Sequence, residues 1–216
     1  MAKYVKCPEE FDGLFSAAED LLEGAFASKE WNAEKGEIRL GSERYVMYRA
    51  ASLSVQLRRE LENLVGSGVS TVLYRFGRSC GQADAKHFFE VYADKNLDPP
   101  MKLALGPVSF ALCGYALVEI LPESKPSPDE DFLIVYDHTN VYESQSFLEQ
   151  GIESKVPVDS LNAGYSAGWC SEAFGLQLES KEISCVAKGD AQCRFVMAHA
   201  SKIHKKAKEI KEKYGF

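Results

Sequence analysis

Two pairs of glycines spaced one helical turn apart, Gly77/Gly81 and Gly164/Gly168, constrain this chain more than any other feature. Each lies in a stretch whose pattern is otherwise helical, where a glycine costs about 1 kcal/mol relative to alanine. Glycines recurring on one side of a helix mark a face packed closely on a neighbour. The spacing therefore predicts a helix from Val69 to about Tyr92 and another from Leu161 to Phe174, each pressed against another element.

The rest of the chain alternates between helical and strand patterns. Glu10 to Phe26 places Phe11, Leu14, Phe15, Ala18, Leu21, Leu22, Ala25 and Phe26 on an amphipathic stripe. Gly36 to Tyr48 alternates on both sides of Gly41-Ser42, the pattern of a tight hairpin. Ala51 to Val65 is helical by pattern and stops at Gly66-Ser67-Gly68. Asp98-Pro99-Pro100 and Gly106-Pro107 read as breaks, and Val108 to Leu121 as a buried strand. A proline-rich polar loop, Pro122 to Asp131, is the best boundary in the chain. Beyond it come a strand at Phe132 to Tyr136, a short helix at Val141 to Gln150, and strands at Leu176 to Val186 and Cys193 to Met197 joined by Lys188-Gly189-Asp190. Helices and short strands in mixed order, with hairpins, indicate an α+β fold in which an antiparallel sheet packs with helices.

Composition narrows the functional classes. At 216 residues, 45% hydrophobic and 26% charged, the chain is long enough for a sizeable core and too apolar for disorder. Six cysteines fall short of a disulfide scaffold. The N-terminus lacks an apolar signal region, so the expected location is the cytoplasm, with reduced thiols. The longest uncharged stretch, Leu103 to Val118, is shorter than the ~18–20 residues of a bilayer-spanning helix and excludes a membrane span. A net charge of −7 argues against a nucleic-acid coat. From Ser201 to Phe216 six lysines face two glutamates, leaving the tail at +4 and the remainder at −11.

Chemistry-bearing residues gather late in the chain. Glu182, Cys185 and Cys193, with a Gly189-Asp190 turn between the cysteines, let two thiolates and a carboxylate converge, a donor set that zinc accepts. The plain alternative is that the cysteines are small core hydrophobes. His138 can serve as a pocket donor or metal ligand, or as a solvated turn residue beside Asp137 and Asn140, with Asp137 or Thr139 capping the next helix. In the tail, Ile203, Ala207, Ile210 and Tyr214 form a heptad-like seam flanked by lysines, which carries a signal to an output domain, binds an acidic partner, or packs on the body of the chain. No catalytic triad order, phosphate-binding glycine loop or paired-cysteine zinc ribbon is present, and an enzyme is not expected.

Gly164-Tyr165-Ser166-Ala167-Gly168 followed by Glu182 to Phe195 resembles the signature of the 4-vinyl reductase domain, which closes the sensory modules of bacterial regulators of aromatic catabolism. Gly36-Glu37-Ile38 through Arg44, and Leu73 to Gly81, resemble the companion N-terminal module of those sensors. The resemblance implies a dimeric ligand-sensing fold akin to the nitric-oxide-sensor and Golgi-tethering superfamily, with a structural zinc beside an apolar pocket. It implies zinc ligands at Glu182, Cys185 and Cys193, and at Asp159, where the family has a cysteine. Without metal, Cys185 and Cys193 become a candidate redox pair.

The same resemblance implies a pocket lined by Phe110, Cys113, Tyr115, Phe132, Ile134, Tyr136, His138, Tyr165 and Trp169, although buried aromatics are also plain core. Phenol sensors of the family carry histidine where this chain has Phe110 and tryptophan where it has His138, which points to a different hydrophobic ligand, larger or acidic. The expected organisation is a helical dimerisation segment over 1–30, a sensor subdomain over 31–125, a 4-vinyl-reductase-like subdomain over 126–200 and a linker helix over 201–216. The expected function is a homodimeric sensor of a small hydrophobic molecule that signals to a regulatory output through the C-terminal helix. The alternatives are a carrier or accessory reductase for tetrapyrrole intermediates, and a thiol redox sensor.

Overall fold

The computed structural model describes residues 1–215. Its main sheet has five strands: β1 (Val5–Lys6), β5 (Leu117–Ile120), β6 (Leu133–Thr139), β7 (Leu178–Ser184) and β8 (Cys193–His199), in the order β1-β5-β6-β8-β7. β1 runs parallel to β5 and every other pairing is antiparallel. A separate meander, β2 (Glu30–Asn32), β3 (Glu37–Leu40) and β4 (Glu43–Tyr45), includes the expected hairpin and aligns Trp31, Ile38 and Tyr45 across its strands. The fold is α+β, as the mixed pattern predicts.

On one face of the sheet lie α4 (Pro99–Cys113) and α6 (Ser160–Phe174), with α1 (Glu9–Ala27) packed against α4 and α3 (Val69–Val91) against α6. α1 buries Phe15, Ala18 and Leu22 in this core and carries Glu9, Glu10 and Asp12 in its first turn, where carboxylates suit the positive end of the helix. α2 (Leu57–Val65) follows one π-helical turn, and the short α5 (Tyr142–Glu149) follows β6. On the other face lies α7 (Ile203–Tyr214), whose seam Ile203, Ala207 and Ile210 is buried against Leu121, Val135, Ile183, Val196 and Ala198. The C-terminal seam thus packs on the body of its own chain. One core extends from Val5 to Met197, and β5 pairs directly with β6 across the Pro122–Asp131 loop.

The glycine pairs meet each other. A Cβ on Gly77 or Gly81 would overlap the carbonyl oxygens of Leu161 and Tyr165, and one on Gly164 or Gly168 those of Tyr74 and Arg78. α3 and α6 therefore approach backbone to backbone, each filling the space that the other leaves by omitting side chains.

Two expectations need correction. The buried strand over Val108–Leu121 is mostly helix: α4 runs through Gly106 and Pro107, and only Leu117–Ile120 is strand. Asp98 caps this helix by accepting the Met101 amide at 2.9 Å, Pro99 and Pro100 occupy its first turn, and Gly114 ends it at φ +77°. A helix buried nearly all round shows no apolar stripe, so its pattern is that of a buried strand. Nor is His138 a solvated turn residue. It lies within β6 and is 3% exposed. Neither Asp137 nor Thr139 caps α5, whose N-cap position is Val141.

Candidate functional site

The α3–α6 contact fixes α6 over the sheet, and strand alternation aims its partners. Ile134, Tyr136 and His138 of β6 stand opposite Met197, Phe195 and Cys193 of β8, all on the helix-covered face. Between these strands, α4 and α6 lies a small cavity of about 40 Å³. Of the residues expected to line it, Phe110, Ile134, Tyr136, His138, Tyr165 and Trp169 do so. Cys113, Tyr115 and Phe132 are placed elsewhere. Cys113 is exposed, Tyr115 packs behind Phe110 and Tyr165 at 5.1 and 5.6 Å between ring centroids, and Phe132 packs on Phe174 at 5.0 Å. Met197 and Cys170 also reach the cavity. Alternation from Cys193 could have indicated Met197, whereas nothing local marks Cys170.

The polar tips of the aromatic wall are engaged outside the cavity. Tyr136 shares a hydrogen bond with Ser180 at 2.7 Å, Tyr165 donates to Asp84 at 2.6 Å, and Trp169 donates to the Lys102 carbonyl at 2.8 Å. His138 differs: its Nδ1 has no partner among the described residues. It is enclosed by Phe195, Tyr136 and Phe110 at 4.5–5.4 Å, and burial lowers its pKa to about 3. The imidazole is therefore neutral at physiological pH, with one nitrogen as donor and the other as acceptor.

That depressed value has a measurable consequence. Between pH 6.5 and about 3 the unfolded chain protonates this histidine and the folded chain does not, so stability falls as pH falls through that window. His138→Phe removes the contribution. Urea midpoints across pH 4–7 are expected to show a shallower slope in the variant, by up to about 1.4 kcal/mol per pH unit. An unchanged slope would show that His138 is protonated in the folded state.

Beside the cavity, Asp159, Glu182, Cys185 and Cys193 converge, with one potential ligand atom from each lying within 4.8 Å of the others. Asp159 immediately precedes α6, Glu182 lies near the end of β7, and a left-handed Gly189 at φ +91° turns the chain so that Cys193 returns beside Cys185. The Asp159 carboxylate accepts the Ser144 amide at 2.8 Å and its hydroxyl at 3.0 Å. Glu182 Oε2 accepts the Asp159 amide at 3.0 Å, while its buried Oε1 has no partner among the described residues. The Cys193 sulfur accepts the Val186 amide at 3.4 Å. Contact with Cys193 lowers the Cys185 thiol to about 7, and burial raises Asp159 and Glu182. Two sulfurs and two carboxylates around a point, one carboxylate oxygen being orphaned, fit a tetrahedral zinc ion. Nearby, the buried Glu143 accepts the Leu161 and Asn162 amides at the start of α6 and is raised to about 8 by burial and Asp159.

The fold is similar to one already solved. It superposes on the phenol-responsive sensory domain of the transcription activator PoxR, solved with phenol, with a TM-score of 0.75 and 20% identity over 90% of this chain and 96% of that one. Residues 28–123 match the family described as an activator of aromatic catabolism, so the resemblance read from the first half of the sequence holds there. A vinyl-4-reductase family protein from Methanocaldococcus jannaschii aligns at a TM-score of 0.42 with 16% identity over 89% of this chain and 96% of that one, too distant to carry an argument. No curated protein matches the chain. No helix among the described residues is long and apolar enough to cross a membrane.

Proposed function

We propose that this chain is a cytoplasmic, homodimeric sensory module that binds a small, neutral, hydrophobic molecule bearing one hydrogen-bonding group, and reports its presence to a regulatory output through α7. The observation that carries this reading is an apolar cavity whose wall includes a buried histidine with an unpartnered ring nitrogen. An unmade hydrogen bond in a desolvated site costs about 1–3 kcal/mol, so a ligand that makes it gains affinity and orientation. The lining holds no Lys, Arg, Asp or Glu, which favours a neutral ligand over the acidic one considered from sequence. At about 40 Å³ the cavity is far smaller than the usual ~300–1,000 Å³ of ligand sites, so its walls must move apart to admit even a one- or two-ring molecule, and a tetrapyrrole is disfavoured. Asp159, Glu182, Cys185 and Cys193 would hold a structural zinc, tying the start of α6 to β7 and β8.

Calorimetric titration with 2-naphthol, naphthalene and 2-naphthoate tests the reading. 2-Naphthol is expected to bind, naphthalene roughly tenfold more weakly for want of one hydrogen bond, and the carboxylate not at all. His138→Phe should bring 2-naphthol down to the naphthalene level. Retention by the variant of the full wild-type preference for 2-naphthol over naphthalene would remove His138 from recognition.

A thiol redox sensor is the second reading, favoured by the lowered Cys185 thiol in contact with Cys193. Native mass spectrometry separates the two. One zinc per chain supports the structural site, whereas a metal-free protein that loses two mass units under mild oxidant supports the redox pair.

A further inference from the structure

The strand residues that face the ligand cavity and the thiol–carboxylate cluster are bonded in sequence to residues that clamp α7 on the opposite face. On the inner face His138 pairs with Cys193, and on the outer face the preceding pair is Asp137 with Arg194. The Arg194 guanidinium donates to both Asp137 carboxylate oxygens, at 2.7 and 2.8 Å, and lies 3.9 Å from the centre of the Tyr214 ring in the last turn of α7. The Tyr214 hydroxyl donates to Glu123 at 2.7 Å, and Lys213 pairs with the same carboxylate. Glu123 follows the end of β5, so three adjacent strands and the end of the helix are joined by one polar cluster. The Asp137–Arg194 pair is largely shielded, with side chains 13% and 8% exposed, unlike the solvated Lys208–Glu212 pair on the outer surface of α7. A shielded bidentate pair tolerates little displacement, whereas an exposed pair contributes almost nothing.

We infer that α7 is a releasable latch, with Asp137, Arg194, Tyr214 and Glu123 holding its last turn on the back of the strand residues that line the cavity. Successive strand residues point to opposite faces, so a shift of β6 that re-seats His138 must also move Asp137. The bidentate pair then converts a small displacement at the cavity into loss of the clamp, and α7 has two states, docked and released, for a ligand to bias. This inference rests on the proposed cavity for its ligand control, while the coupling between the two faces stands without any ligand.

Hydrogen exchange read by mass spectrometry on the full chain tests both parts. Without ligand, Glu123→Gln and Asp137→Asn are expected to accelerate exchange over 203–214 at least tenfold and to accelerate the β6 peptide 133–139 as well. Lys208→Gln should leave both unchanged. Faster exchange in α7 with an unaltered β6, or no change in either, overturns the latch. If Asp137→Asn does not fold, Glu123→Gln decides. With 2-naphthol added to the wild-type chain, protection over 161–174 reports that the cavity is filled. Filling accompanied by faster α7 exchange supports ligand control. Filling with α7 unchanged overturns that control and leaves the cavity reading intact, whereas no protection over 161–174 overturns the cavity reading itself.

Discussion

Gly164→Val and Gly81→Val are each expected to lose most of the folded population, with stability falling by on the order of 3 kcal/mol or more. At both positions the added Cβ would overlap a carbonyl oxygen, of Tyr74 and Tyr165 respectively, and backbone cannot rotate aside as a side chain can. Relief requires α3 and α6 to separate along their length, which would open the core where Tyr165 and Trp169 of α6 meet the cavity. Gly24→Ala in α1 is the control. Nothing lies within 4 Å of a Cβ there, so the substitution should raise stability by about 0.5–1 kcal/mol through helix propensity alone. Urea denaturation of the four proteins measures the difference. A loss below about 1 kcal/mol in both valine variants would mean that the helices are not in backbone contact.

Removing the proposed zinc is expected to have the second largest effect. If zinc joins Asp159, Glu182, Cys185 and Cys193, then Cys193→Ser or a strong chelator should cost several kcal/mol, because a structural site forms only in the folded chain. For a chain of this length that corresponds to a melting temperature lower by roughly 6–20 °C, with zinc released stoichiometrically. The donor set predicts the complementary effect. Asp159→Cys replaces a carboxylate with a softer thiolate and should slow zinc loss to a chelator by at least tenfold. Unchanged melting on chelation, together with absence of zinc in native mass spectra, would leave the cluster to thiol chemistry.

Much of the fold was legible in local pattern. The stripe of α1, the Gly41-Ser42 hairpin and the strands around Gly189 follow from periodicity and turn chemistry, because each has one face toward a core and one toward solvent. α4 was not legible, since burial on nearly all sides removes the contrast that periodicity needs. β2 was missed because three exposed residues have no pattern of their own and are ordered by pairing with β3. In the site, the spacing of Glu182, Cys185 and Cys193 already suggested convergence. That Asp159 joins them follows from the turn entering α6, which no spacing reveals. His138 was ambiguous for a related reason: its polar neighbours Asp137 and Asn140 indicate a solvated turn, whereas strand pairing between β5 and β8 buries it.

The sequence by itself determined that Gly77, Gly81, Gly164 and Gly168 lie on helix faces in close contact, because only such contact repays a missing side chain in a helix. Their partners are a tertiary fact. The two helices are some eighty residues apart in the chain, and only the folded backbone shows that each pair of glycines receives the carbonyls of the other. The same division applies to the cavity. Residue types on alternating strands mark an apolar face, but a void with one unsatisfied imidazole arises only where helix and sheet surfaces meet without filling the space between them.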